Sequence, residues 1–114
     1  MTSAIGESIE ALEPFQALLQ DEPAVLAYFG GDNCNVCKLL RPKVFGLMAE
    51  RFPAIRSVYV DAELSRELAA QYGVFTIPSV IAFFDGKETL RKARNFSMGE
   101  LENGLARPYS LFFD

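Results

Sequence analysis

Six consecutive apolar residues, Ala24-Val25-Leu26-Ala27-Tyr28-Phe29, run into a short glycine-bearing loop and then into a long stretch of helical periodicity. The run has the length and apolar density of a strand buried on both faces, as in a parallel sheet. Gly30-Gly31-Asp32-Asn33 reads as the loop behind it. From Cys34 to about Phe52, Cys37, Leu40, Val44, Leu47 and Met48 recur at three- and four-residue steps, so they share one helical face. Pro42 falls inside that helix and is expected to kink it. A doubly buried strand handing over to an amphipathic helix points to an α/β fold with helices on both faces of its sheet.

The rest of the chain extends the pattern. Pro14 suits the first residue of a short helix bearing Phe15, Leu18 and Leu19, which Asp21-Glu22-Pro23 ends. Ile55 to Val60 reads as a second strand, with Asp61 capping a helix that carries Leu64, Leu68 and Tyr72, and Gly73 closing it. Ser79 to Phe84 is a third strand, turned by Asp85-Gly86 into Glu88–Ala93. Met98 to Ala106 is a final helix with Leu101 and Leu105 on one side. The order predicts a central mixed β-sheet flanked by helices on both faces.

At 114 residues the chain is long enough for one core and too short for two. A net charge of −4 argues against nucleic-acid binding, which needs clustered Lys and Arg. Arg91-Lys92-x-Arg94 is the one basic cluster and suits a solvated edge strand. No apolar run approaches membrane-spanning length, and the first residues lack a positive n-region and an apolar h-region. A cytoplasmic protein is therefore expected. No glycine pattern of a phosphate-binding loop follows Gly30-Gly31.

Cys34 and Cys37 are the only cysteines, and their spacing lets them close a small disulfide ring. In a reducing compartment such a pair reads as redox-active or metal-binding. Two cysteines without a histidine supply half of a tetrahedral zinc shell, so no metal is expected. Cys34 stands at a helix N-terminus, where exposed N–H groups favour a negative sulfur, and Cys37 faces the core.

Three motifs together resemble the thioredoxin family: Cys34-x-x-Cys37 on a strand-to-helix turn, Tyr72-Gly73-Val74-x-x-Ile77-Pro78-Ser79, and Phe83-Phe84-Asp85-Gly86-Lys87. Pro42 also matches the family's helix proline. The resemblance spans roughly residues 5 to 107, leaving 108–114 as an aromatic C-terminal tail. It implies a thioredoxin fold and a thiol–disulfide oxidoreductase with no cofactor beyond its cysteines. It implies Cys34 as nucleophile and Cys37 as resolving thiol. A cis Pro78 would pack beside the pair, leaving the Ile77 backbone to pair with a bound peptide. The substrate-binding surface is expected to involve Asn33, Val36, Phe75, Thr76, Ile77 and Pro78. A protein or peptide disulfide is the implied substrate, and a thioredoxin-reductase-type protein the electron donor.

The departures narrow this. Asn33 and Gly30 replace the family's tryptophans, and Asn35-Val36 replaces Gly-Pro inside the motif. Tyr28 replaces the buried aspartate, Ser57 stands for its lysine partner, and Arg94 replaces a loop glycine. A phenol stays protonated near neutral pH, so Tyr28 cannot take the proton of Cys37. Water, the departing thiolate or a carboxylate such as Asp32 must do so, and slow resolution is expected. A restricted partner follows from these losses. The alternative is a non-catalytic adaptor or chaperone using the cis-proline face and the tail, with inert cysteines. Phe75 suits either a binding face or ordinary packing. Four large apolar residues among the last eight should dock on the chain's own surface or join a second copy, giving a monomer or a weak homodimer.

Overall fold

The computed structural model describes residues 6–114, so most of the N-terminal stretch read above for a leader lies outside the described residues. In chain order the elements are β1 (Glu7–Ser8), α1 (Leu12–Asp21), β2 (Ala24–Gly30), α2 (Asn35–Arg51), β3 (Arg56–Asp61), α3 (Arg66–Gln71), β4 (Ser79–Phe84), β5 (Lys87–Ala93) and α4 (Met98–Phe113). The strands form one mixed sheet in the order β1-β3-β2-β4-β5. β2 lies at its centre, parallel to β3 and antiparallel to β4, which explains its unbroken apolar run.

Successive side chains of β2 point to opposite faces, and the core divides accordingly. Ala24, Leu26 and Tyr28 meet Val44, Phe45 and Met48 of α2 and Leu101 and Leu105 of α4. Val25, Ala27 and Phe29 meet Phe15 and Leu19 of α1 and Leu68 and Ala69 of α3. Asp85 and Gly86 both have positive φ, 56° and 74°, the backbone of the tight turn that joins β4 to β5.

Four local expectations are revised. β1 was not expected, because Glu7 and Ser8 are exposed and only pairing with β3 makes them a strand. Pro14 sits in the first turn of α1, two residues inside its start. Leu64 is not helical: Asp61 Oδ1 accepts from the N–H groups of Glu63 and Leu64, 2.9 and 3.2 Å, which makes a turn instead. Helix α3 then starts behind Ser65, and Leu64 is left 78 % exposed.

Pro108 does not stop the last helix, which continues to Phe113. An interior proline removes one helical hydrogen bond, and side-chain packing offsets that cost here. Tyr109 lies edge-on to Phe52 with ring centroids 5.1 Å apart, and its hydroxyl accepts from the Ala54 N–H at 3.1 Å. Phe112 meets Phe84 at 5.2 Å, and Phe113 packs on the core with Tyr109. Tyr109 and Phe113 therefore dock on the chain's own surface, while Phe112 is covered on one side and Leu111 stays exposed.

Candidate active site

Strand β2 ends at Gly30, and the chain turns through Gly31, Asp32 and Asn33 to place Cys34 at the N-cap of α2. The Cys34 N–H donates to the Gly31 carbonyl at 3.2 Å, and the Lys38 N–H donates to the Cys34 carbonyl at 3.1 Å as the helix begins. Cys34 and Cys37 form a disulfide with Cα atoms 5.2 Å apart. Of the amides expected to face the outer sulfur, that of Cys37 donates to Cys34 Sγ at 3.2 Å. No acidic residue occupies the first turn of α2, so the partial positive charge there is left to the Cys34 sulfur. Cys34 is half-buried and Cys37 is buried.

A second loop lies alongside. Phe29 pairs with Ser79, which puts Pro78 beside Gly30 at the end of β2. The Ile77–Pro78 peptide is cis. Ser79 Oγ donates to the Thr76 carbonyl at 2.7 Å, and the Arg94 N–H donates to the Pro78 carbonyl at 2.7 Å. Arg94, where the resemblance expects glycine, takes a left-handed backbone with φ 55°. A Cβ on Gly31 would stand 3.1 Å from Ile77 Cδ1, so the two loops touch. Asn33, Val36, Phe75 and Thr76 are exposed around this junction, Ile77 is half-buried and Pro78 buried.

Beneath the disulfide the arrangement departs from expectation. Tyr28 is fully buried and its hydroxyl donates to the Cys37 carbonyl at 2.7 Å. Burial first, and the neighbouring Tyr59 second, push this phenol far above its ordinary range, so it is neutral. The residue facing it on β3 is Tyr59, not Ser57; Ser57 pairs with Leu26. A slip of two residues keeps side chains on the same face, so sequence spacing does not separate the two positions. The Tyr28 and Tyr59 rings stack, 6.0 Å apart and 24° from parallel, and the Arg41 guanidinium lies 3.4 Å from the Tyr59 centroid. Gly30 makes room for this: a Cβ there would be 3.1 Å from Tyr28 Cε1 and 3.3 Å from both Cys37 Cβ and Tyr59 Cε1.

Burial also raises the Tyr59 pKa, with Asp61, Asp32 and Glu63 adding to the rise and Arg41 opposing it. Asp32, named above as a proton acceptor, is exposed on the loop. Tyr59, Arg41 and Glu63 went unnoticed in the sequence. Glu63 rests its carboxylate against Gly31, where no Cβ blocks it. Aromatic and charged residues on separate elements carry no shared spacing, and only the β2–β3 register brings them together. Among the described residues no group of three or more His, Cys, Asp or Glu side chains could hold a metal ion, and no helix is long and apolar enough to cross a membrane.

Known proteins bear out the fold and the chemistry. The family model described as Thioredoxin matches residues 8–107. The thioredoxin-like protein YdfQ of Bacillus subtilis is 29 % identical over 104 residues, 91 % of this chain and 92 % of its own. Mitochondrial thioredoxin 3 of Saccharomyces cerevisiae, in its oxidised form, superposes with a TM-score of 0.82 at 21 % identity, covering 92 % of this chain and 99 % of its own. Thioredoxin 1 of Thermosipho africanus is 33 % identical with a TM-score of 0.70, covering 76 % of this chain and 96 % of its own. With its Cys34–Cys37 pair oxidised at a helix mouth on a thioredoxin fold, the chain belongs to the thioredoxin family and is a thiol–disulfide oxidoreductase.

Proposed function

We propose that this oxidoreductase acts on a restricted protein partner, with Cys34 as the attacking thiol and Cys37 as the resolving one. An extended segment of the partner lies along Asn33, Val36, Phe75 and Thr76 and pairs with the backbone of Ile77 beside Pro78. The Cys34 thiolate attacks the partner's disulfide and one partner sulfur leaves as thiolate. Cys37 then attacks Cys34 Sγ, closing the intramolecular disulfide and releasing the second sulfur. A reductase-type protein donor returns the pair to the dithiol, which suits a reducing, cytoplasmic setting.

The observation that carries this reading is the exposure of apolar residues around a redox pair. Phe75, in the loop that touches the cysteine loop, is 84 % exposed and Val36, in the first turn of α2, is 57 % exposed, flanking a half-buried sulfur that already accepts a helix N–H. Surface of that kind around a reacting group marks a contact site. Incubating a Cys37→Ser variant with cell extract should accumulate mixed disulfides with few proteins, and a Cys34→Ser variant should accumulate none. Alkylation of reduced Cys34 should show a midpoint below the ordinary thiol value of about 8.5. A Cys34 that titrates like a free thiol, together with a Cys37→Ser variant that captures nothing, would end the proposal.

A further inference from the structure

The site has lost the buried carboxylate that its family resemblance leads one to expect, and the chain has no histidine to replace it. Tyr28 does not fill the role, because its hydroxyl proton is committed to the Cys37 carbonyl at 2.7 Å. A cation is nevertheless present, brought by α2 rather than by a neighbouring strand. Arg41 lies one helical turn beyond Cys37, so the two side chains share a face of α2. Its guanidinium is held 3.4 Å from the centre of the Tyr59 ring. That ring is backed by Tyr28, and its edge and Cys37 Cβ each lie 3.3 Å from the same point above Gly30.

We propose that Arg41, clamped on Tyr59, is a positioning residue that biases Cys37 toward the thiolate when the mixed disulfide is resolved. The proposal rests on the exchange reading given above. In the step itself Cys37 loses its proton to water and its sulfur attacks Cys34 Sγ. The bond from Cys34 to the partner's sulfur breaks, and its electron pair leaves on that sulfur, which solvent protonates. No protein carboxylate is required; the positive charge lowers the cost of the intermediate thiolate.

The groups facing this locus come from several elements. Tyr28 of β2 is neutral. Asp61 at the end of β3, Asp32 in the loop before Cys34 and Glu63 in the loop after β3 all act on Tyr59 as negative charges. Lys38 adjoins Cys37 on α2. The three acids oppose a thiolate, so removing Arg41 leaves only Lys38 of the named cations against their field.

The test uses the full-length reduced protein and a bis(nitrobenzoate) disulfide. Each turnover releases two coloured thiolates, the first on attack by Cys34 and the second on attack by Cys37. The first phase serves as the internal reference. In Arg41→Gln the second phase should slow by about tenfold near pH 7, with its pH midpoint raised by about one unit. Arg41→Lys, which keeps the charge, should stay within about threefold of the natural protein. Tyr59→Leu, which removes the ring beneath the guanidinium, should raise the midpoint in the same direction. An unmoved midpoint in Arg41→Gln overturns the proposal, as does equal slowing in the Gln and Lys variants. Absence of the first phase in the natural protein would remove the exchange reading and this proposal together, a different result from a normal first phase with an unmoved second.

Discussion

At the two ends of β2, aromatic residues meet opposite fates. Beyond its C-terminal end, Phe75 stands 84 % exposed beside the cysteine loop. Near its N-terminal end, where Ala24 pairs with Phe84, the ring of Phe112 lies on Phe84 and Tyr109 and Phe113 pack on the core. Tyr109 and Phe113 thus close the core over α2 and β4, with Phe112 only partly covered and Leu111 exposed, whereas Val36 and Phe75 near the disulfide are left in water. The difference teaches that composition does not reveal purpose. A phenylalanine with a partner ring in its own chain contributes to folding, and one without such a ring is available for contact.

Substitutions at each end can break this contrast. The largest effect is expected at Tyr109. Tyr109→Ala removes its ring contact with Phe52 and its bond from Ala54, and should cost about 2–4 kcal/mol in urea unfolding. A loss below about 1 kcal/mol would mean that the end of α4 is only loosely attached. At the other end, Phe75→Ala should leave stability within about 0.5 kcal/mol. It should lower kcat/KM on a protein disulfide by about tenfold, or about 1.4 kcal/mol. A clear drop in stability instead would assign Phe75 to packing.

Arg94 sharpens the contrast from the site side. Its left-handed backbone, φ 55°, is one that glycine adopts without a Cβ penalty. Arg94→Gly should therefore raise stability by about 0.5–1 kcal/mol in the same assay. Smallest of all is the pH response of Glu88 on β5. Hydrogen bonds from Arg91 hold its carboxyl below the usual carboxylate range. A lowered folded pKa contributes stability above the unfolded value of about 4.3 and loses it as pH falls through the folded value. The side chain is 42 % exposed, and solvent screening keeps the effect below about 0.5 kcal/mol. Glu88→Gln should flatten this limb of the acid unfolding profile.

Much of the site was legible because its signals are local. The run from Ala24 to Phe29, the spacing of Cys34 and Cys37 and the face shared by Cys37, Val44 and Met48 each lie within one element. The Asp85-Gly86 turn is equally local, since it depends only on residues that tolerate positive φ. Leu64 was misplaced because an Asp61 side chain can cap either a helix or a turn, and the choice is made by where Ser65 is held. Ser65 Oγ donates to the Glu10 carbonyl at 2.8 Å, across 55 positions of chain. The end of α4 was misjudged because the cost of Pro108 is local and its compensation by Phe52, Ala54 and Phe84 is distant.

By itself the sequence determined the strand–loop–helix unit, the accessible outer cysteine and its buried neighbour, since these follow from periodicity and from a helix terminus. What surrounds that neighbour was decided by tertiary structure. The register of β3 against β2 set Tyr59 rather than Ser57 opposite Tyr28, and the absence of a side chain at Gly30 let both rings approach Cys37. Arg41 then came to rest on that stack from a different element. Strand alternation names the face on which a side chain points, and only the pairing of strands names what it meets there.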